Sequence, residues 1–302
     1  MNVLSLFSGV GGFDLGLENA GMKTIYQCEW DKHATGVLEL HWPHVPRWGD
    51  ITTLTGKEIL SHGTPPDVVA WGSPCQDLSS IGLRRGITGK RSSLFYEGLR
   101  IIKELREETN NEYPKISIWE NVAGALTSNR GADFRSVISE MGESGAHLQE
   151  YAVLDSSFFG VPQVRRRVFL ISIFNIDIAG KCPEILLPVR QVHHRNHSKI
   201  EPVKQDQIAS FYKVHGRLST PTINISPPLL TISPICVASK SMRPRKLSSI
   251  EHERLMGWPD DHTRYRSDGT EQKSTNRFKQ CGNGVVSPVA EWVGKQLMEL
   301  NQ

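Results

Sequence analysis

Three chemically capable groups stand at the ends of apolar, strand-like runs, where open α/β sheets hold their sites. The first is a thiol. Asp67-Val68-Val69-Ala70-Trp71 runs directly into Gly72-Ser73-Pro74-Cys75-Gln76. Pro74 fixes its own φ and biases Ser73 towards an extended conformation, so Cys75 is presented on a stiff turn. A cysteine there is either a thiolate nucleophile or a small buried hydrophobe. The second is a carboxylate, in Trp119-Glu120-Asn121-Val122. A glutamate leaving a buried strand is costly unless it serves a partner. Glu120 therefore does proton chemistry, caps the following turn or pairs with an arginine. The third is a basic run, Gln163-Val164-Arg165-Arg166-Arg167, ahead of the apolar Val168 to Ile173. On a strand, Arg165 and Arg167 share one face and Arg166 takes the other. Two forked donors on one face can meet a phosphate or a carboxylate. The alternative is a charged sheet edge that blocks aggregation.

A glycine turn, Phe7-Ser8-Gly9-Val10-Gly11-Gly12, follows the first apolar run. Glycines there let backbone amides approach a ligand, and a helix N-terminus favours an anionic group. Glu29 ends the next strand-like run, where a carboxylate accepts hydrogen bonds from ribose hydroxyls. Trp30 beside it can stack on a purine, and Asp50 can accept from an exocyclic amine. Together these residues point to an adenosine-bearing cofactor. A tight strand-to-helix turn with no ligand is the other reading of the glycines.

The elements needed to hold these groups are legible. Val3 to Phe7, Thr24 to Cys28, Val68 to Trp71, Lys115 to Trp119 and Val168 to Phe174 read as strands. Phe13 to Ala20, Lys32 to His41 and Ser93 to Glu108 read as helices. Their alternation predicts a parallel, doubly wound sheet over residues 1–176. From 176 to 245 Pro, Ser, Thr and His replace helical periodicity, and short β-prone pieces recur, as in Thr222-Ile223-Asn224-Ile225 and Leu229-Leu230-Thr231-Ile232. This stretch reads as most of a smaller, irregular lobe that spans 177–270. It includes a helix within Leu247 to Trp258. Residues 271–302, with an amphipathic helix over Val285 to Leu300, return to the first domain.

The 302 residues are 38% hydrophobic and 22% charged, an ordinary soluble composition with enough apolar content for a large core. No apolar run approaches a membrane span, and Met1 to Ser5 lacks a basic signal-peptide start, so a cytoplasmic protein is expected. The five cysteines are scattered without a Cys-x-x-Cys spacing, which argues against a zinc site or a disulfide framework. The net charge of +3 is small. Local clusters say more: Arg84-Arg85, Lys90-Arg91, Arg165 to Arg167, Arg190 to Lys199 and Arg243 to Lys246. Clustered bases of this kind can be the footprint of a polyanion.

Taken in order, these motifs resemble the DNA (cytosine-5)-methyltransferase family, over nearly the whole length outside the irregular lobe. Phe7 to Gly12 is similar to its first motif, Glu29-Trp30 to its second and Gly49-Asp50-Ile51 to its third. Gly72 to Gln76, continuing through Asp77-Leu78-Ser79 to Ser93-Leu94-Phe95, resembles the nucleophile loop. Glu120-Asn121-Val122 and Gln163 to Arg167 resemble the glutamate and arginine motifs. Arg245-Lys246-Leu247, Glu251, Arg254 and Gly257-Trp258-Pro259 resemble the ninth motif, and Gln280-Cys281-Gly282-Asn283 the tenth. Departures are Trp119, commonly aliphatic or Phe, Gly284, often Ser or Ala, and the shortness of the lobe.

The resemblance implies a Rossmann-like S-adenosylmethionine-dependent methyltransferase sheet with a target-recognition lobe. It implies that S-adenosylmethionine is held by Phe7, Gly9, Gly11, Gly12, Glu29, Trp30, Asp50, Ile51, Pro74 and Asn283, with no metal. Cys75 adds to carbon 6 of cytosine, which makes carbon 5 nucleophilic enough to take the methyl group. Glu120 shares a proton near N3, Arg165 orients Glu120 or the base carbonyl, and Arg167 braces the nucleophile loop. The base must first leave the stack. Gln76, Ser79, Arg84, Arg85, Gln163 and Thr231 are the residues implied to touch DNA, with Thr222-Ile223 an equal candidate to Thr231-Ile232. Double-stranded DNA, a monomer and a cognate restriction endonuclease are the implied partners. A tRNA-methylating branch shares the catalytic set, but its Cys-Phe-Thr signature is absent here. A catalytically silent DNA-binding homologue and a nicotinamide oxidoreductase are the other readings, and both leave Cys75 and Glu120 without a role.

Overall fold

The computed structural model describes residues 1–74, 93–183, 186–188, 209–211, 213–214, 217–218, 222–226, 229, 235–239 and 242–300. Its centre is a seven-stranded sheet. The strands are β1 (Asn2–Leu6), β2 (Lys23–Cys28), β3 (Arg47–Trp48), β4 (Val68–Trp71), β5 (Ile116–Val122), β6 (Leu148–Asp155) and β7 (Arg166–Ile173), in the order β3-β2-β1-β4-β5-β7-β6. The helices of this part are α1 (Gly12–Asn19), α2 (Lys32–His41), α3 (Gly56–Leu60), α4 (Ser93–Glu108), α5 (Ala132–Glu143) and α6 (Ile176–Lys181). Among the described residues no helix is long and apolar enough to cross a membrane.

The strands sort their side chains by alternation. Val3, Val68, Ala70, Ile116, Ile118, Ile171 and Ile173 join one buried cluster, with α1 and α2 on that face. Leu4, Leu6, Val69, Trp71, Trp119, Val168 and Leu170 join the other, with α4 and α5. Trp119 is accommodated because its ring lies near Phe134, 6.2 Å between centroids, and its indole N–H donates to Ser73 Oγ at 3.4 Å.

The parallel expectation holds from β3 to β5 and fails beyond it. β7 runs antiparallel to β5, with Val122 opposite Arg167, and β6 runs antiparallel to β7. The reversal has a consequence for the site. It brings the amino end of β7, with its arginines, to the edge where the parallel strands end.

Beyond the main sheet, β8 (Ala209–Phe211), β11 (Thr222–Ile223), β12 (Cys236–Ser239) and β13 (Met242–Lys246) form a small antiparallel sheet in the order β11-β8-β12-β13. β9 (Lys213–Val214) and β10 (Arg217–Leu218) form a separate pair. The helix expected over Leu247 to Trp258 is α7 (Ser249–Leu255), opened by a reciprocal cap between Ser248 and Glu251. α8 (Ser274–Asn283) and α9 (Ser287–Glu299) complete the chain. Apolar residues of α7 and α9 share one cluster with α1, so the end of the chain is packed onto its beginning.

Beneath the first turn lies a buried polar chain. Asp14 accepts from Ser5 Oγ at 3.0 Å and Gln27 Nε2 at 2.7 Å, and Gln27 Oε1 accepts from Arg47. Burial pushes the Asp14 carboxyl up to about 6, against the pull of those hydrogen bonds. A carboxyl with a raised folded pKa stabilises the fold fully below its unfolded value. It loses that contribution as pH rises through the folded value. Asp14→Asn keeps the shape and removes the charge. Its stability relative to wild type is therefore expected to rise by about 2–3 kcal/mol between pH 4 and pH 8. Urea unfolding across that range checks this, and a difference independent of pH would contradict it.

Candidate active site

A cavity of about 1170 Å³ opens at the carboxyl ends of β1, β2, β4 and β5, spanning the switch point between β1 and β4. One end is built by the glycine turn. Phe7 has φ 54°, a left-handed value that is rare for a bulky side chain, and it lines the cavity. Gly9, at φ 58°, has nothing among the described residues within 4 Å of where a Cβ would stand, so its backbone faces open space that a side chain would fill. Its N–H donates to Glu29 Oε2 at 2.7 Å, and the Asp31 N–H donates to Glu29 Oε1 at 2.7 Å. Each carboxylate oxygen keeps acceptor capacity for a ligand hydroxyl. Burial raises the Glu29 pKa, and those two backbone bonds oppose the rise. Trp30 is 75% exposed and lines the cavity, a free ring face at its rim. Asp50 and Ile51 line it too, with Asp50 Oδ1 accepting from the Thr52 N–H at 2.9 Å.

The other end is built by β5, β7 and the end of α8. Glu120 is buried, and Arg167 Nε lies 3.1 Å from its Oε1. Burial raises the Glu120 pKa, while Arg167 and then Arg165 pull it down. Arg165 is also buried, and its Nη2 donates to the carbonyls of Gly282 at 2.9 Å and Gly284 at 2.7 Å. Burial, with Arg167 nearby, pushes its pKa down to about 9. Among the described residues its Nε and Nη1 have no hydrogen-bond partner. Buried donors of this kind call for an acceptor, and the cavity that Arg165 lines is where one would sit.

Between the two ends, Asn121 Nδ2 donates to the Ser73 carbonyl at 3.0 Å, which ties the exit of β4 to the exit of β5. Pro74, the residue covalently before Cys75, lines the cavity. Asn283 lines it from α8, as does Lys279, whose Nζ meets Asp31 Oδ2 at 2.9 Å.

The family model described as C-5 cytosine-specific DNA methylase matches residues 1–218 and 189–299. The chain belongs to that family. Type II methyltransferase M2.BsuMI of Bacillus subtilis (strain 168) is 33% identical over 317 residues, covering 99% of this chain and 76% of the relative. Type II methyltransferase M.HhaI of Haemophilus parahaemolyticus is 27% identical over 325 residues, covering 97% and 93%. In fold, the chain is similar to a putative DNA modification methyltransferase encoded within a prophage of E. coli. The TM-score is 0.67 at 21% identity, with 100% of both chains covered.

In this cytosine-5 DNA methylase chain, some residues expected at the ligands are packed against other parts of the protein. Gln163, expected to touch DNA, is fully buried: its Nε2 donates to the Leu255 carbonyl at 2.8 Å and its Oε1 accepts from the Leu229 N–H at 3.4 Å. Both ends of the amide are spent inside the protein. Gly11 and Gly12 do not line the cavity. A Cβ at Gly11 would stand 2.4 Å from the Trp42 ring, and one at Gly12 would stand 2.5 Å from the Val285 carbonyl, so both allow close packing. Arg167, rather than Arg165, is the arginine in contact with Glu120. Cys75, Gln76, Ser79, Arg84, Arg85 and Thr231 lie outside the described residues. The positioning contacts of Asn121 and Lys279 were not foreseen. A polar Asn121 inside an apolar strand was a usable signal; nothing local marked the pair of Lys279 with Asp31.

Proposed function

We propose that this chain transfers a methyl group from S-adenosylmethionine to carbon 5 of a cytosine flipped out of double-stranded DNA, through a covalent bond between Cys75 and carbon 6. The observation that carries the reading is one cavity with two chemically different ends. Gly9, Glu29, Trp30, Asp50 and Ile51 fit an adenosine group: an open backbone at the glycine, a carboxylate for ribose hydroxyls and an exposed ring for stacking. When bound, S-adenosylmethionine supplies an electrophilic methyl group on a sulfonium. Asn283 and Pro74 border the same space.

At the other end the ring of the target base must be held and its charge managed. Attack by the Cys75 thiolate at carbon 6 breaks the aromaticity of cytosine and builds negative charge on the ring; once carbon 5 has taken the methyl group, loss of the carbon-5 proton and elimination of Cys75 restore the ring and free the thiolate. Glu120, with a pKa raised by burial, holds or shares a proton at N3 and the exocyclic amine. Arg167 keeps Glu120 in place. Arg165, anchored by two carbonyls and with two donors unpartnered among the described residues, offers them to the base carbonyl. Asn121 fixes the start of the nucleophile loop. The target atom is inaccessible in a stacked duplex, so flipping precedes all of these steps. In this reading residues 1–176 and 271–302 do the chemistry. The lobe over 177–270 reads the sequence, with Thr222 and Thr231 both candidates beside the flipped nucleotide.

Bisulfite sequencing of DNA from cells expressing the protein tests this reading, with purified duplex and tRNA as competing methyl acceptors. The expected result is 5-methylcytosine at one recurring duplex sequence. Transfer to tRNA alone would move the reading to the RNA-methylating branch, and binding without transfer would move it to a silent homologue.

A further inference from the structure

His262 lies on the turn that follows α7, is buried and does not line the cavity. Its Nε2 stands 2.7 Å from the carbonyl oxygen of Val10, 252 residues away in the chain. A carbonyl only accepts, so Nε2 carries the proton of this bond. Val10 is the middle of the glycine turn and does line the cavity. The neighbouring peptide groups are also held: the Gly9 N–H by Glu29, and the Gly11 N–H by the Ser8 carbonyl at 3.0 Å. The imidazole is itself fixed. It stacks on His41 at 4.3 Å between centroids and 12° between planes, with Trp258 5.5 Å away. His41 Nε2 stands 2.8 Å from the His262 carbonyl, which closes the pair. Burial, then the nearby His41, pushes the His262 pKa down to about 4, in keeping with a neutral ring.

We propose that His262 is a positioning residue for cofactor binding, acting through the Val10 carbonyl to hold the glycine turn in its binding shape. It touches no reacting atom. The turn needs such support because Phe7, Gly9 and Gly11 all adopt positive φ, and the amide of Gly9 must stay aimed at Glu29. The same segment backs the other end of the site. A Cβ on Gly284 would stand 2.6 Å from the Trp258 ring, and the Gly284 carbonyl holds Arg165. That close packing also accounts for glycine at a position where the family often carries Ser or Ala.

The inference rests on the cofactor reading above, and the test separates the two. Calorimetry with S-adenosylhomocysteine is run on the wild type, His262→Phe and His262→Gln. Phe keeps the ring against His41 and deletes the donor; Gln restores an N–H of similar reach. The expected result is a Kd raised about tenfold or more in His262→Phe and within about threefold of wild type in His262→Gln. The KM for S-adenosylmethionine follows the Kd, and kcat at saturation stays within about twofold. No binding by the wild type would sink the cofactor reading itself. Equal binding by all three proteins, or equal weakening in both variants, would overturn the positioning role. If His262→Phe does not fold, nitrogen-15 NMR of histidine in the wild type decides instead. An Nε2–H tautomer, slow to exchange and shifted by S-adenosylhomocysteine, supports the role; an Nδ1–H tautomer overturns it.

Discussion

Cys75→Ser is expected to lower methyl transfer to below about one-thousandth of the wild-type rate, with S-adenosylhomocysteine binding kept within about twofold. The large effect follows from the step assigned to the thiol. Carbon 5 of an intact cytosine ring does not take up a methyl group, and only addition at carbon 6 makes it nucleophilic. A thiolate forms within reach of neutral pH, whereas a serine hydroxyl ionises far above it. The small effect on binding follows from the cavity. Most groups assigned to the cofactor, such as Gly9, Glu29, Trp30 and Asp50, stand on the exits of β1, β2 and β3, and Pro74, the one assigned on the β4 exit, is left unchanged by the substitution. Single-turnover transfer and calorimetry on the same preparation separate the two effects. Normal turnover in the variant would refute the nucleophile assignment.

Glu120→Gln is expected to lower kcat by about 10²–10⁴-fold, the range for loss of a general acid. The two side chains have one shape. An amide oxygen can still accept from Arg167, so the geometry of the arginine end is kept. What is lost is the carboxyl proton. The sign of the pH effect follows from burial, which raises the Glu120 pKa. The protonated acid is the active form in this step. Wild-type transfer therefore declines on the alkaline side as the proton is lost, at a pH above the ordinary carboxylate range. The variant should show no such limb. A variant within a few-fold of wild type, or one that keeps the limb, would remove Glu120 from the proton chemistry.

Much of this site was legible because its residues sit beside strong local signals. The strand-like runs before Phe7, Glu29, Gly72 and Glu120 are short, apolar and bounded by glycine or polar residues. Their exits do line the cavity. The direction of β7 was not legible, since Val168 to Ile173 reads the same in either orientation. That direction decides which arginine meets Glu120: with Arg167 opposite Val122, it is Arg167. β6 escaped notice because Leu-Gln-Glu-Tyr-Ala-Val-Leu-Asp, at the sheet edge, mixes polar and apolar residues without a clean alternation. The resemblance implies Gln163 at the DNA, yet the backbones of Leu255 and Leu229, both far along the chain, take up its amide. The contacts of Lys279 with Asp31 and His262 with Val10 share this property. They join residues about 250 positions apart, so no local pattern encodes them.

The central claim is the bond between Cys75 and the target base. A duplex carrying the methylated site, with 5-fluorocytosine at the target, is incubated with the protein and S-adenosylmethionine, denatured and digested for mass spectrometry. Fluorine leaves carbon 5 without a proton to lose, so elimination of the thiol is blocked. The account predicts a denaturation-resistant protein–DNA adduct mapped to the peptide containing Cys75. An enzyme active on the unmodified duplex that forms no adduct, or forms it at another residue, would contradict it.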